Sequence, residues 1–259
     1  MVAEEIGPLG VRRGGCEFEA ARYFEGNRGT AYTGSMIEAI VFDFDGVIVD
    51  SEPLHYQAFA KVAKSLGFDF DYDRYLCDFV GFDDHDAFGA MLKATSGEVP
   101  ADRDEQIQRL CAHKKSILET IVKSSGVSPL PGARELAAEA KQAGVPVAIA
   151  SGATRFDITL MLAGLGCGNL FELIVSADDV RQSKPDPQTY TMATHRLGVE
   201  PGLCLAIEDT AAGIRSAKGA GLLTLGVATT GSEALLYEAQ RVAASLNGIT
   251  LKRLREWYD

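Results

Sequence analysis

Two aspartates, Asp43 and Asp45, stand either side of Phe44 and just before Gly46, the first of them closing the short apolar run 38–43. Carboxylates so close repel each other unless a cation or a proton separates them, and either arrangement serves catalysis. Gly46 permits tight backbone geometry where the chain turns. An isolated Asp-x-Asp reads as readily as turn or helix capping. This one has company. Ala150-Ser151-Gly152 ends a second apolar run, Ser183-Lys184-Pro185-Asp186-Pro187 follows a third, and Glu208-Asp209-Thr210 ends a fourth. Each alone has an ordinary structural reading: a serine cap, a solvated lysine, an acid pair at a helix start. Together they bring a hydroxyl, a cation and further acids to the strand ends where Asp43 lies.

The apolar runs at 38–43, 145–150, 173–176, 203–207 and 222–227 have the length and composition of buried parallel strands. Helical patterns alternate with them. One opens at Pro131-Gly132 and places Leu136, Ala137 and Ala140 on one face before Gly144; others cover 157–165, 187–197 and 210–220. The alternation predicts a doubly wound α/β fold, a Rossmann-like parallel sheet with its active site at the carboxyl ends of the strands. Residues 51–128 break it with helical patterns alone. Ser51 and Pro53 start a helix in which Leu54, Ala58, Val62 and Leu66 recur before Gly67, and further helices are expected near 73–79, 84–94 and 101–124. The expected organisation is therefore a core of 36–50 and 129–259 with an inserted all-helical cap, 51–128. Linkers near Ser51 and Val127 would let the cap move as a lid. Residues 1–35 are expected to be an N-terminal extension, disordered or non-native, with the natural start at Met36 or a tag junction at Gly34-Ser35.

Composition excludes some classes. With 46% hydrophobic and 24% charged residues among 259, the chain is ordinary for a soluble protein. Its net charge of −11 argues against nucleic acid and anionic membranes as partners, since both need a basic surface. No apolar run approaches the roughly 18 residues of a membrane span, and no secretory signal is evident. The five cysteines form no CxxC pair, so reduced, mostly buried thiols and a cytoplasmic location are expected. The assembly expected is a monomer or a small homo-oligomer.

The segments VFDFDGVIVDSE, IASG, SKPDP and AIEDT resemble the four motifs of the haloacid dehalogenase-like hydrolases, over about 37–227. Within that family the chain is most similar to the branch of beta-phosphoglucomutases and sugar phosphatases with a helical cap. The resemblance implies that Asp43 is a nucleophile forming an aspartyl-phosphate and that Asp45 is the general acid and base. It implies Mg2+ held by Asp43, the Asp45 backbone carbonyl and Asp209, with Glu208 supporting that shell or ligating. Ser151, Lys184 and the Gly152 amide would hold the phosphoryl group, and His55 and Lys114 would meet the substrate from the cap. One departure stands out. Where the mutase branch carries an arginine for a second phosphate, this chain reads Gly81-Phe82-Asp83-Asp84, with Arg155 as a candidate replacement cation from the core side. The expected function is thus magnesium-dependent hydrolysis of small phosphate monoesters, sugar phosphates foremost. The alternatives are a phosphosugar mutase and, from another class, a non-catalytic scaffold, which predicts the loss of an essential group. None is lost.

Overall fold

The computed structural model describes residues 37–68, 71–79, 84–96 and 102–258. The expectations for 1–35, for Met36 and for 81–83 lie outside those residues. In chain order the elements are β1 (Ala39–Phe42), β2 (Val49–Asp50), α1 (Glu52–Ser65), α2 (Tyr72–Asp78), α3 (Asp84–Ser96), α4 (Arg103–Ser125), β3 (Ser128–Pro129), α5 (Ala133–Gln142) and β4 (Val147–Ala150). They continue with α6 (Arg155–Leu165), β5 (Leu173–Val175), α7 (Gln188–Leu197), β6 (Cys204–Glu208), α8 (Ala211–Gly219), β7 (Leu223–Val227), β8 (Arg241–Ala243) and α9 (Leu251–Tyr258).

The main sheet has the order β5-β4-β1-β6-β7-β8, and every pairing in it is parallel. This is the doubly wound α/β core. Phe42 is in register with Ile149 on one side and Ile207 on the other, so Asp43, Ala150 and Glu208 are level at the carboxyl edge. The central strands sort their residues by size. Ile40, Phe42, Val147, Ile149, Leu205 and Ile207 point into one core, which also contains Leu136 of α5, Ile158 of α6 and Leu254 of α9. Their neighbours Ala39, Val41, Ala148, Ala150 and Ala206 face the other side, where Tyr190 and Ala193 of α7 and Ala217 of α8 pack. Small side chains on that face let helices lie close to the sheet. What reads in the sequence as an unbroken apolar run is thus a two-sided burial pattern.

All the elements described between β2 and β3 are helices, a helical cap inserted after the first strand. Phe59, Val62, Tyr75, Phe88, Met91 and Ile107 give it a core of its own. At its base, Leu54, Ala58, Leu118, Ile121 and Val122 join the main core. Its entering and leaving segments pair with each other as an antiparallel ribbon, Val49 with Pro129 and Asp50 with Ser128.

Sequence patterns missed that ribbon, β8 and α9. The ribbon strands have two residues each and β8 has three, too few to show a period. Helix α9 is strongly amphipathic, and Leu251, Leu254 and Tyr258 are its buried residues. Of the described cysteines, Cys167 and Cys204 are buried, Cys111 is half-buried and Cys77 is exposed. Among the described residues no helix is long and apolar enough to cross a membrane.

Candidate active site

The carboxyl edge of β1, β4 and β6 gathers the expected core groups. The Asp43 amide extends the ladder by donating to the Ile207 carbonyl (2.8 Å), and its Oδ1 accepts from the Phe44 amide (2.7 Å). Lys184 Nζ lies 2.9 Å from Asp43 Oδ1 and 2.6 Å from Glu208 Oε1, and it donates to the Ala150 carbonyl (3.0 Å). The lysine is thus held at a fixed point between two carboxylates. Burial alone would lower its pKa, but Asp43 and Glu208 outweigh it and hold the ammonium charged. Asp43 is pushed the other way: burial first, then the Glu208 charge, raise its pKa well above that of an ordinary aspartate, and Lys184 only partly opposes them. The site needs more positive charge than one lysine supplies.

Asp43, Glu208 and Asp209 are buried, and each offers an oxygen within 4.8 Å of the others. The two acids of the Glu208-Asp209 pair differ in their partners. Glu208 accepts from Lys184, from the Tyr190 hydroxyl (2.7 Å) and from Thr210 Oγ1 (3.2 Å). Asp209 Oδ2 accepts from Thr230, while its buried Oδ1 has no hydrogen-bond partner. An orphaned carboxylate oxygen among carboxylates fits a hard cation such as Mg2+. Gly46, at φ 72°, lies against this point, since a Cβ there would meet the Asp209 carboxylate. The Thr229 hydroxyl ties the Gly46 carbonyl in place.

Asp45 turns away from this group to accept from Ser51, the residue before α1. Burial raises its pKa to about 6, against the lowering effect of the Ser51 hydrogen bond. Two neighbouring aspartates therefore have different environments, one beside an ammonium and one beside a hydroxyl. Ser151 is buried, and its Oγ accepts from the Ala153 amide (2.9 Å), which leaves the hydroxyl hydrogen for an incoming acceptor. The exposed Gly152 follows it, with open space at its α-carbon.

The cap residues are arranged differently from a solvated helix face. Lys114 has only 2% of its side chain exposed, donates to Asp84 Oδ1 (2.6 Å), and lies 3.0 Å from His55 Nδ1. Its charge also sits 4.5 Å from the centre of the Phe59 ring. His55, one helical turn after Ser51, is pushed down to about 3 by burial and by the Lys114 charge, so it is neutral. The neighbouring Lys115 is exposed, and its ammonium lies over the ring of Phe156 of α6 (3.9 Å). Arg155 is not brought to the Asp43 group. Its Nη2 bonds to Asp179 (2.5 Å) and to the Ile174 carbonyl (2.9 Å), beside β5.

Tyr190, Ser51, Thr229 and Thr230 were not anticipated as site residues. The threonine pair comes one residue after the end of β7, and its position at a strand's carboxyl end was the available signal. Tyr190 had none, because a tyrosine on an apolar helix face reads as core.

A doubly wound α/β core with a helical cap and an acidic, metal-capable centre at the strand ends is the class that fold and site define. Residues 40–227 match the haloacid dehalogenase-like hydrolase family, and the chain belongs to it. It is 32% identical over 199 residues to protein CbbY of Rhodobacter capsulatus, covering 72% of this chain and 83% of that one. To a phosphorylated carbohydrates phosphatase of Thermotoga maritima it is 28% identical over 186 residues, 72% and 82% of the two chains. The crystal structure of beta-phosphoglucomutase from Clostridium difficile aligns with a TM-score of 0.72 at 27% identity, covering 86% of this chain and 97% of that one.

Proposed function

We propose that this chain is a magnesium-dependent hydrolase of small phosphate monoesters, sugar phosphates foremost, acting through an aspartyl-phosphate on Asp43. The observation that carries this reading is the contrast between the two aspartates. Asp43 is paired with the Lys184 ammonium at 2.9 Å, while Asp45, hydrogen-bonded to Ser51, is pushed up to about 6 by burial. The displacement needs a carboxylate nucleophile and a separate carboxylic acid; positive charge at the acidic centre would offset the burial that raises Asp43, while Asp45 stands apart on Ser51 as the acid.

In the first half-reaction an Asp43 oxygen attacks phosphorus, the ester P–O bond breaks, and the Asp45 proton passes to the leaving alcohol. In the second, Asp45 takes a proton from water, water oxygen attacks phosphorus, and the Asp43–phosphate bond breaks to release inorganic phosphate. Lys184 and the Ser151 hydroxyl hold the peripheral phosphoryl oxygens, whose charge persists throughout. Asp43 and Asp209, with the Asp45 carbonyl, would hold Mg2+, which when bound supplies positive charge to the same oxygens. Glu208 already accepts from three donors and serves to fix Lys184.

The test is phosphate release by purified protein with magnesium over sugar phosphates, phosphoglycolate and nucleotides, with beta-glucose 1-phosphate included. Steady release from sugar monophosphates is expected. Isomerisation of beta-glucose 1-phosphate with little net hydrolysis would replace this reading by the mutase one, and no turnover of any substrate would favour a scaffold.

A further inference from the structure

We propose that the loop leaving β7 sets the magnesium affinity of the acidic centre, with Thr229 and Thr230 as positioning residues for the two segments that would hold the cation. This rests on the reading of that centre as a magnesium site and adds to it a residue pair outside its carboxylates.

The loop is braced on both sides of the pair. Before it, the Ala228 amide donates to the Ala243 carbonyl of β8 (3.0 Å). After it comes a turn of 3₁₀ helix, Glu233–Leu236, which begins at Ser232, whose hydroxyl accepts from the Ala234 amide (3.3 Å). Leu236 is buried against Gly226 of β7, where a Cβ would stand 3.1 Å from the leucine side chain. Between these anchors the chain bends at Thr229 and Thr230. Successive side chains of a straight strand point to opposite faces, whereas at this bend both hydroxyls reach the same site.

Each threonine fixes a different segment. The peptide between Asp45 and Gly46 has its N–H bound to the Val49 carbonyl (2.8 Å), and in a trans peptide the Asp45 carbonyl points the opposite way. The next carbonyl, that of Gly46, accepts from Thr229. The Asp45 carbonyl thus lies between two tethered groups. Thr230 acts on Asp209, at the end of β6, and decides which carboxylate oxygen is available. It donates to Oδ2, and in a residue only 7% exposed the buried Oδ1 is left without a hydrogen-bond partner, as the oxygen for a cation. The terminal torsion of an aspartate is broad, so without that hydroxyl the carboxylate is free to turn. The Thr230 methyl closes on the same point: a Cβ on Gly46 would run into the Asp209 carboxylate and stand 2.8 Å from Thr230 Cγ2. Partners of this kind behind a metal ligand raise affinity by fixing its orientation before the ion arrives.

The experiment is calorimetric titration of the full chain with magnesium chloride, without substrate. Thr230→Val keeps the shape and removes the hydroxyl, and should weaken magnesium binding about tenfold. Thr230→Ser restores the hydroxyl and should stay within about threefold of wild type, a rescue that a merely space-filling role would not give. Thr229→Val should weaken binding by at least about threefold, less than Thr230→Val because it acts through the neighbouring peptide. A Kd left unmoved by one or other valine substitution, or a loss as large in Thr230→Ser as in Thr230→Val, would overturn the proposal. Should Thr229→Val fail to fold, the two Thr230 variants decide. A wild type that binds no magnesium would overturn the proposal together with the metal reading beneath it, whereas valine variants with wild-type Kd beside a magnesium-binding wild type would overturn the proposal alone. Because binding is read without turnover, the expected order of affinities in a protein that releases no phosphate would defeat the hydrolase reading and leave this one standing.

Discussion

Asp43 can act as a nucleophile only if it is charged while Asp45, two residues on, keeps a proton; Lys184 only partly offsets the burial and the Glu208 charge that raise Asp43, so the ionised form calls for a further cation at the acidic centre. Asp43→Asn keeps the shape and removes the attacking oxygen. Phosphate release should fall by at least about 10⁴-fold, with an unchanged far-ultraviolet circular dichroism spectrum. Gly46→Ala adds one methyl group where φ is 72° and the Asp209 carboxylate stands in the way. The strain should cost about 1 to 3 kcal/mol in urea unfolding and weaken activation by magnesium at least tenfold. His55 provides a pH test. Its pKa of about 3 in the folded protein lies below the ordinary 6.5, so the unfolded chain takes up the proton first as pH falls. Its contribution is therefore unaffected above pH 6.5 and is lost progressively from there towards pH 3, at about 1 kcal/mol per pH unit. Relative to wild type, His55→Gln should flatten the decline in unfolding free energy between pH 6.5 and 4.5. Equal slopes would show that the imidazole is not held neutral. The residues that touch Asp43 were legible because each motif sits at a strand end in order. The burial of Lys114 was not, since a lysine beside a lysine on a long helix gives no sign of which one faces inward.

At the scale of elements, length decided what could be read. Strands β1, β4, β6 and β7 have four or five residues and are buried, and the helices between them carry clear apolar faces, so the doubly wound order was visible. The ribbon of β2 and β3 is defined only by its pairing across about eighty residues of cap, a long-range contact with no local pattern. Helix α9 follows a loop rich in polar residues and was passed over despite its buried face. It nevertheless closes the main core. Leu254 is fully buried, the Tyr258 hydroxyl donates to the Thr224 carbonyl (2.7 Å), and the Leu251 amide donates to Glu139 of α5 (3.1 Å). Removing residues 250–259 exposes the partners of three buried side chains, each worth about 1.5 to 3 kcal/mol. The truncated chain should lose about 5 kcal/mol or more and be unfolded or aggregated at 37 °C by light scattering and circular dichroism. A truncated protein with wild-type urea midpoint would show that α9 only covers the surface.

For the whole molecule, the consequence of the acidic centre is that folding concentrates repulsion which a cation relieves. Asp43 and Glu208 share Lys184, Asp209 lies beside them, and one buried Asp209 oxygen has no hydrogen-bond partner. The overall charge of −11 adds to the cost of gathering them. The unfolded chain has no such cluster, so Mg2+ held at the proposed site should stabilise the folded state by mass action, by about 2.7 kcal/mol at a hundred times its Kd. In a protein of this size that should raise Tm by roughly 5 to 10 °C. Asp209→Asn separates this from a general salt effect. It removes a buried charge, so the variant should be at least as stable as wild type in chelator, because an uncompensated buried carboxylate is destabilising. It should also lose most of the rise that magnesium gives. Glu208→Gln, at a carboxylate already held by three donors, should keep more of it. Identical melting curves for wild type with magnesium and with chelator would mean that the three acids do not form a cation site, whatever the activity measurements show.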